Sequence, residues 1–222
     1  MFDVSAPTLP TTDGDAFPVR RIFCIGKNYA DHVAEMGGDP KATEPVFFTK
    51  PADAASAASS IPFPLATENL HYEGELVVAL KAGGQQLDET DCAALIYGYA
   101  CGCDLTRRDL QALAKERAAP WDLAKALDNG AMIGPIEPRQ GQVLDQGPVK
   151  LSVNGEVRQD GDLAQMVWSI PEMIAKLSTY FELKAGDLIF TGTPSGVGAL
   201  HRGDEVEVVI ADLPPLRFGL SA

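Results

Sequence analysis

The stretch that most limits what this chain can fold into is Leu70 to Leu80, Leu-His-Tyr-Glu-Gly-Glu-Leu-Val-Val-Ala-Leu. Its apolar end, Leu76 to Leu80, reads as a strand running into a core. Glu73 and Glu75 stand at the head of that strand. Side chains of a strand alternate faces, so both project to one side with their backbones roughly 6.5 to 7 Å apart. Two like charges at the entrance of a core are costly unless a cation lies between them. Hard oxygen ligands at this spacing suit Mg²⁺ or Mn²⁺, with Gly74 facing the other way and leaving room for close packing. Two solvated glutamates on an edge strand fit the same spacing, so the choice rests on what lies downstream.

With 222 residues the chain can build a substantial core, and no linker-like stretch divides its middle, so one β-rich domain is expected. Lys and Arg total 18 against 31 Asp and Glu, a formal charge of −13 that repels nucleic acid and anionic membrane surfaces. Neither is an expected partner, and an anionic substrate requires a locally cationic pocket. The start, Met-Phe-Asp-Val-Ser-Ala-Pro, lacks the basic and apolar runs of a signal peptide, and no apolar run approaches the ~20 residues of a membrane span, so a cytoplasmic location is expected. Cys24, Cys92, Cys101 and Cys103 lie in apolar segments without a Cys-x-x-Cys pair, which favours buried reduced thiols over a zinc site.

In chain order, residues 1–17 read as an extended arm ahead of a catalytic domain at 18–222. Arg20 to Ile25 reads as a strand ending at Gly26. In the following Asn28 to Gly38 segment Asn28 suits a helix cap and the paired glycines a stop. On that helix His32 and Glu35 share a face at i and i+3, the arrangement a water-activating base needs, although solvated surface pairs show the same spacing. Pro45 to Lys50 is a further strand, and a short helix fits Glu89 to Ile96. Tyr97 to Cys103 reads as a glycine-punctuated buried strand that delivers Asp104 to the start of a helix, Leu105 to Arg117, where capping is the alternative use of that carboxylate. Arg108 and Gln111 stand at i and i+3 on this helix. Lys125 lies among apolar neighbours, as a snorkelling lysine also does. Asn154-Gly155 between alternating apolar residues is a strong hairpin signal. Asp162 to Phe181 reads as helical with a break before Pro171. The glycine-rich Gly192 to Gly198 loop lacks a Gly-Lys-Ser/Thr ending and precedes a strand, Glu205 to Ile210, which excludes a phosphate loop or dinucleotide fingerprint.

The ordered segments Gly26-Lys-Asn-Tyr-Ala-Asp-His32-Val-Ala-Glu35, Phe47-Phe-Thr-Lys50-Pro, Tyr72-Glu73-Gly-Glu75-Leu, Gly98 to Gln111, Trp121-Asp-Leu-Ala-Lys125, Val153-Asn-Gly-Glu and Gly186 to Gly198 resemble the fumarylacetoacetate hydrolase family. The resemblance covers the chain from about Pro18 to its end, and within the family is greatest to bacterial fumarylpyruvate hydrolases and related acylpyruvases. It implies an α+β, β-rich fold, a mixed β-sandwich roll with short peripheral helices, assembled as a homodimer. It further implies one Mg²⁺ or Mn²⁺ per subunit held by Glu73, Glu75 and Asp104, an acid–base pair at His32 and Glu35, an active-site lysine at Lys125, and substrate contacts at Arg108, Gln111 and Thr193. One departure follows Lys125, where Ala-Leu127-Asp128-Asn-Gly-Ala-Met-Ile-Gly-Pro135 replaces the Phe-Asp and Cys-Pro-x-Gly-Pro usual in relatives.

The implied reaction is metal-dependent hydrolysis of a carbon–carbon bond in a small anionic keto acid, an acylpyruvate. Fumarylpyruvate would give fumarate and pyruvate, with gentisate degradation as the natural setting. In that scheme His32 activates water and Lys125 stabilises the oxyanion. Oxaloacetate decarboxylation, isomerisation or decarboxylation of other keto acids, and silent metal-dependent keto-acid binding are the competing readings.

Overall fold

Leu70 to Leu80 lies at the heart of the computed structural model, which describes residues 6–29 and 44–221. The strands are β1 (Thr8–Pro10), β2 (Ala16–Pro18), β3 (Arg21–Gly26), β4 (Val46–Lys50), β5 (Ala55–Ser56), β6 (Ser60–Ile61), β7 (Leu70–Tyr72), β8 (Gly74–Leu80), β9 (Ile96–Asp104), β10 (Thr106–Arg107), β11 (Ala131–Ile133), β12 (Glu137–Pro138), β13 (Pro148–Val153), β14 (Glu156–Asp162), β15 (Asp187–Phe190), β16 (Gly198–Leu200), β17 (Glu205–Ile210) and β18 (Leu216–Leu220). The α-helices among the described residues are short: α1 (Glu89–Cys92), α2 (Arg108–Glu116), α3 (Asp122–Lys125) and α4 (Ile170–Tyr180). A large mixed sheet runs β4-β3-β15-β8-β9-β11-β5, with β12 on the far end of β9. A second sheet runs β14-β13-β17-β18-β6, and β10-β7-β16 form a small third one. The β-rich α+β architecture expected from the sequence is the one observed.

Every residue of β8 is buried, because both faces of its sheet are covered. Leu76, Val78 and Leu80 join Leu151, Val206, Val208 and Phe218 of the second sheet, with Met173, Ile174 and Leu177 of α4, in the larger core cluster. Val77 and Ala79 project to the other side, into a smaller cluster with Ile22, Cys24, Leu188 and Phe190. All four cysteines are buried and free. Alternation along β8 and β9 leaves Glu75 and Asp104 on the second of these faces, at the end of the sheet where the core gives way to a cavity.

Several local expectations shift. The strand through Leu70 to Leu80 is interrupted at Glu73, where the chain leaves the small sheet as β7 and enters the large one as β8. The stretch read as an extended arm folds back as the β1–β2 hairpin, because Leu9 and Phe17 are buried in the smaller core cluster. The helix expected from Leu105 starts at Arg108: Asp104 stays in β9, and Thr106-Arg107 pair with β7 as β10. Asp104 is therefore no helix cap. The 162–181 segment divides into a 3-10 turn capped by Asp162 and α4 capped by Ser169. The Asn-Gly hairpin is present, with φ of 52° at Asn154 and 81° at Gly155, the left-handed pair that matches strand twist in a two-residue turn.

Gly74 shows how closely the sheets meet beside the glutamates. A Cβ there would lie 3.2 Å from Leu151 Cδ1 and 3.3 Å from Gln159 Oε1. Gly74→Val is therefore expected to destabilise the chain by about 1–3 kcal/mol through overpacking, seen as a lower urea midpoint, whereas an unchanged midpoint would mean that the sheets do not meet this tightly.

Candidate metal centre and active site

Three carboxylates converge at the end of the β8–β9 ladder. Glu75 is the second residue of β8, Asp104 the last of β9, and Glu73 the link between β7 and β8, its carbonyl accepting a 2.8 Å hydrogen bond from the Asp104 N–H. All three are buried, and one oxygen from each lies within 4.8 Å of the other two. A cluster of this kind is held only by cations. Lys125, buried at the end of α3, donates to Glu73 Oε2 at 2.8 Å, Asp104 Oδ2 at 2.7 Å and the Thr106 hydroxyl at 2.6 Å. Those three bonds use all three N–H donors of the ammonium. Arg108 Nη2 donates to Glu73 Oε1 at 2.5 Å and Nη1 to Gln111 Oε1 at 2.6 Å.

These contacts divide the carboxylates electrostatically. Burial favours the neutral form of Glu73, but Lys125 and Arg108 outweigh it and hold its pKa at about 2. Glu75 is pushed the other way, first by burial and then by the charges of Asp104 and Glu73; among the described residues its one donor is the Gly192 N–H, at 2.7 Å from Oε2. Burial opposes the charged form of Lys125, yet Asp104 and Glu73 raise its pKa overall. The protein's own cations thus satisfy two carboxylates and leave the third disfavoured as an anion. A site of hard oxygen donors with one under-compensated member fits a divalent cation such as Mg²⁺ or Mn²⁺.

The cluster opens into a cavity of about 390 Å³ lined also by Arg108, Gln111, Lys125 and Thr193. Thr193 is fixed by donating to the Gly74 carbonyl at 2.8 Å and accepting from Gln159 Nε2 at 2.8 Å. The structure thus brings together Glu73, Glu75, Asp104, Arg108, Gln111, Lys125 and Thr193. His32 and Glu35 lie outside the described residues. Asn28, read as a helix cap, is fully buried and clamps two distant segments, donating to the Thr191 carbonyl at 2.8 Å and accepting from the Trp168 N–H at 2.8 Å.

Three supporting residues escaped the sequence reading. Lys50, closing β4, pairs with Asp104 Oδ1 at 2.8 Å and donates to the carbonyls of Leu105 and Lys125. In the sequence it stands in the Phe47-Phe-Thr-Lys50-Pro segment of the resemblance, but with no role attached. Gln159 binds the Gly74 N–H and Thr193 from a strand of polar residues, where nothing distinguishes it. His71 accepts from Arg108 Nε at 3.3 Å and faces Asn69 Oδ1 at 2.9 Å, which assigns its proton to Nε2.

A family model for the fumarylacetoacetate (FAA) hydrolase C-terminal region matches residues 21–220. The chain belongs to the fumarylacetoacetate hydrolase family. It is 43% identical over 169 residues to fumarylpyruvate hydrolase of a Ralstonia species, covering 76% of this chain and 88% of that one. It is 40% identical over 202 residues, 90% of each chain, to the mitochondrial oxaloacetate tautomerase of Rattus norvegicus. The crystal structure of fumarylpyruvate hydrolase from Pseudomonas aeruginosa, in complex with Mn²⁺ and pyruvate, superposes with a TM-score of 0.93 at 42% identity, covering 100% of this chain and 98% of that one. Among the described residues no helix is long and apolar enough to cross a membrane.

Glu75→Gln separates the two demands on the cluster. Removing a buried like charge is expected to stabilise the metal-free protein by about 1 kcal/mol, roughly 2–4 °C in Tm for a chain of this size. Calorimetric titration with Mn²⁺ is expected to lose its binding signal in the same variant. Retained Mn²⁺ affinity would remove Glu75 from the ligand set.

Proposed function

We propose that this chain is a divalent-metal-dependent acylpyruvate hydrolase that cleaves fumarylpyruvate to fumarate and pyruvate. The observation that carries this reading is the buried Glu73, Glu75 and Asp104 cluster, flanked by Arg108 and Gln111 and opening into a cavity. Its likeness over the full chain to a fumarylpyruvate hydrolase crystallised with Mn²⁺ and pyruvate supports it. Glu73, Glu75 and Asp104 would hold Mg²⁺ or Mn²⁺. Bound there, such an ion supplies Lewis-acid polarisation of a keto acid and charge compensation for an enolate leaving group.

The chain's own residues supply the rest. Arg108 and Gln111, side by side on α2, bind the carboxylate end of the keto acid, and the fixed Thr193 hydroxyl lines the same cavity. His32, oriented by Glu35, takes a proton from water, whose oxygen adds to the distal carbonyl. The carbon–carbon bond then breaks, and its electron pair leaves with pyruvate as the enolate, which is protonated to pyruvate. Lys125 acts differently from the oxyanion donor that the family resemblance implies. With its three N–H donors spent on Glu73, Asp104 and Thr106, it keeps the two carboxylates ionised and in place rather than reaching the substrate.

A second reading, oxaloacetate tautomerisation, is favoured by the 40% identity to the rat enzyme. It moves a proton between carbon and oxygen and needs no attacking water. Product analysis therefore decides between them. Incubation of fumarylpyruvate with Mn²⁺ is expected to give fumarate and pyruvate in equal amounts, and chelation to stop their formation. His32→Ala is expected to lower turnover by about 10²-fold or more, the usual worth of a positioned base, with KM little changed. Enol-to-keto conversion of oxaloacetate without cleavage of fumarylpyruvate would overturn the hydrolase reading in favour of the tautomerase.

A further inference from the structure

The reaction above uses one end of the cavity and leaves two of its cations without a role. Arg108, Gln111 and Lys115 occupy i, i+3 and i+7 on α2, one face of the helix, and all three line the cavity. Helical rise sets Lys115 about 10 Å beyond Arg108 along the axis. Lys27 lines the same cavity, directly after β3. Its backbone is left-handed, with φ of 62°, a conformation that a long side chain adopts only against steric cost. The adjoining Asn28 is fixed by its bonds to Trp168 and Thr191, so the lysine is held where a glycine would sit with less strain.

The two lysines are linked by more than their place in one lining. The Lys115 ammonium lies 5.3 Å from the centroid of the Trp121 ring, another wall of the cavity. Burial, then the charges of Arg108 and Lys27, lower its pKa, whereas Glu73 acts in the opposite direction more weakly. Lys115 thus stands in a cationic field at a remove from the carboxylate cluster. Among the described residues neither Lys27 nor Lys115 is ion-paired to a carboxylate, in a chain with 31 acidic residues against 18 basic ones. Cations on the wall of one cavity that no described carboxylate pairs, in so acidic a protein, call for an anion from outside.

We propose that Lys115 and Lys27 hold the distal carboxylate of the substrate, and so set the preference for fumarylpyruvate over acylpyruvates with an uncharged tail. This deepens, and rests on, the acylpyruvate hydrolase reading. The face of α2 works as a ruler, with Arg108 and Gln111 at the keto-acid end and Lys115 at the other. With C–C bonds of about 1.5 Å, a seven-carbon diacid holds its carboxyl groups roughly 7–8 Å apart, so that with one at Arg108 the other lies further along the wall, toward Lys115. A four-carbon diacid spans roughly half as much and leaves its second carboxylate short of the lysines. Acylpyruvates with an uncharged tail reach them but offer nothing to bind.

Two measurements test the subsite. In the first, kcat/KM is compared for fumarylpyruvate and for acetylpyruvate, which lacks the distal carboxylate, using wild type, Lys115→Met, Lys27→Met and Lys115→Arg. The Met variants are expected to reduce the preference for fumarylpyruvate at least tenfold, mainly through KM, with Lys115→Arg retaining most of it. Equal losses on both substrates would overturn the subsite. In the second, Mg²⁺-loaded wild type and Lys115→Met are titrated calorimetrically with α-ketopimelate, a seven-carbon diacid, and with α-ketoheptanoate, its monoacid counterpart. Wild type is expected to bind the diacid at least tenfold more tightly, and the variant to lose that difference. Equal affinities in wild type reject the subsite whether or not hydrolysis occurs. A diacid preference without any cleavage rejects the hydrolase reading and leaves the subsite standing.

Discussion

The arrangement depends on a buried ion network. Asp104 is fully buried and lies between two buried lysines, Lys50 on one oxygen and Lys125 on the other, while Lys125 also holds Glu73. Taking these charges out of water is expensive, and deleting one partner from such a network typically costs about 3–5 kcal/mol because the rest are left uncompensated. The network joins β4, β9, α3 and the β7–β8 link, segments far apart in the chain. It therefore sets the relative position of elements that the apolar core alone would leave less well determined, since apolar contacts are non-directional.

A consequence is that the cluster is rigid before any cation arrives. Glu73 has both oxygens engaged by Arg108 and Lys125, Thr193 is locked between Gly74 and Gln159, and Glu75 is anchored by the Gly192 N–H. Donors positioned by such surrounding bonds need no reorganisation to receive charge, which is the usual source of electrostatic preorganisation in enzymes.

Much of this was legible in the chain because the signals were local. The β8 run, the Asn154-Gly155 turn and the two carboxylates flanking Gly74 each depend on residues within a few positions of one another. Asp104 was legible as the end of a buried strand, but the helix after it was placed three residues early because the β10 pairing with β7 joins residues more than thirty positions apart. The partners supplied by tertiary contact were not legible at all. Gln159 carries no periodic or motif signal, and Lys50 stands in a segment of the resemblance that assigns it no role; what both do appears only when β4 and β14 are brought against the sheet. Lys125 was found by resemblance, yet its three-way bonding to Glu73, Asp104 and Thr106 comes from the fold.

The burial of β8 on both faces also governs which features of this protein can drift. Substitutions at Glu75 or Gly74 disturb a strand covered on both sides, so the reactive centre and the fold are under joint constraint. The α2 wall is different, because its outward residues Ala112, Leu113, Lys115 and Glu116 are exposed and tolerate exchange at little cost to stability. Selection can therefore retune the shape and charge of the cavity by single changes along an outer helix. A lineage built on this scaffold gains new substrates from its periphery while the chemistry at its centre stays as it was.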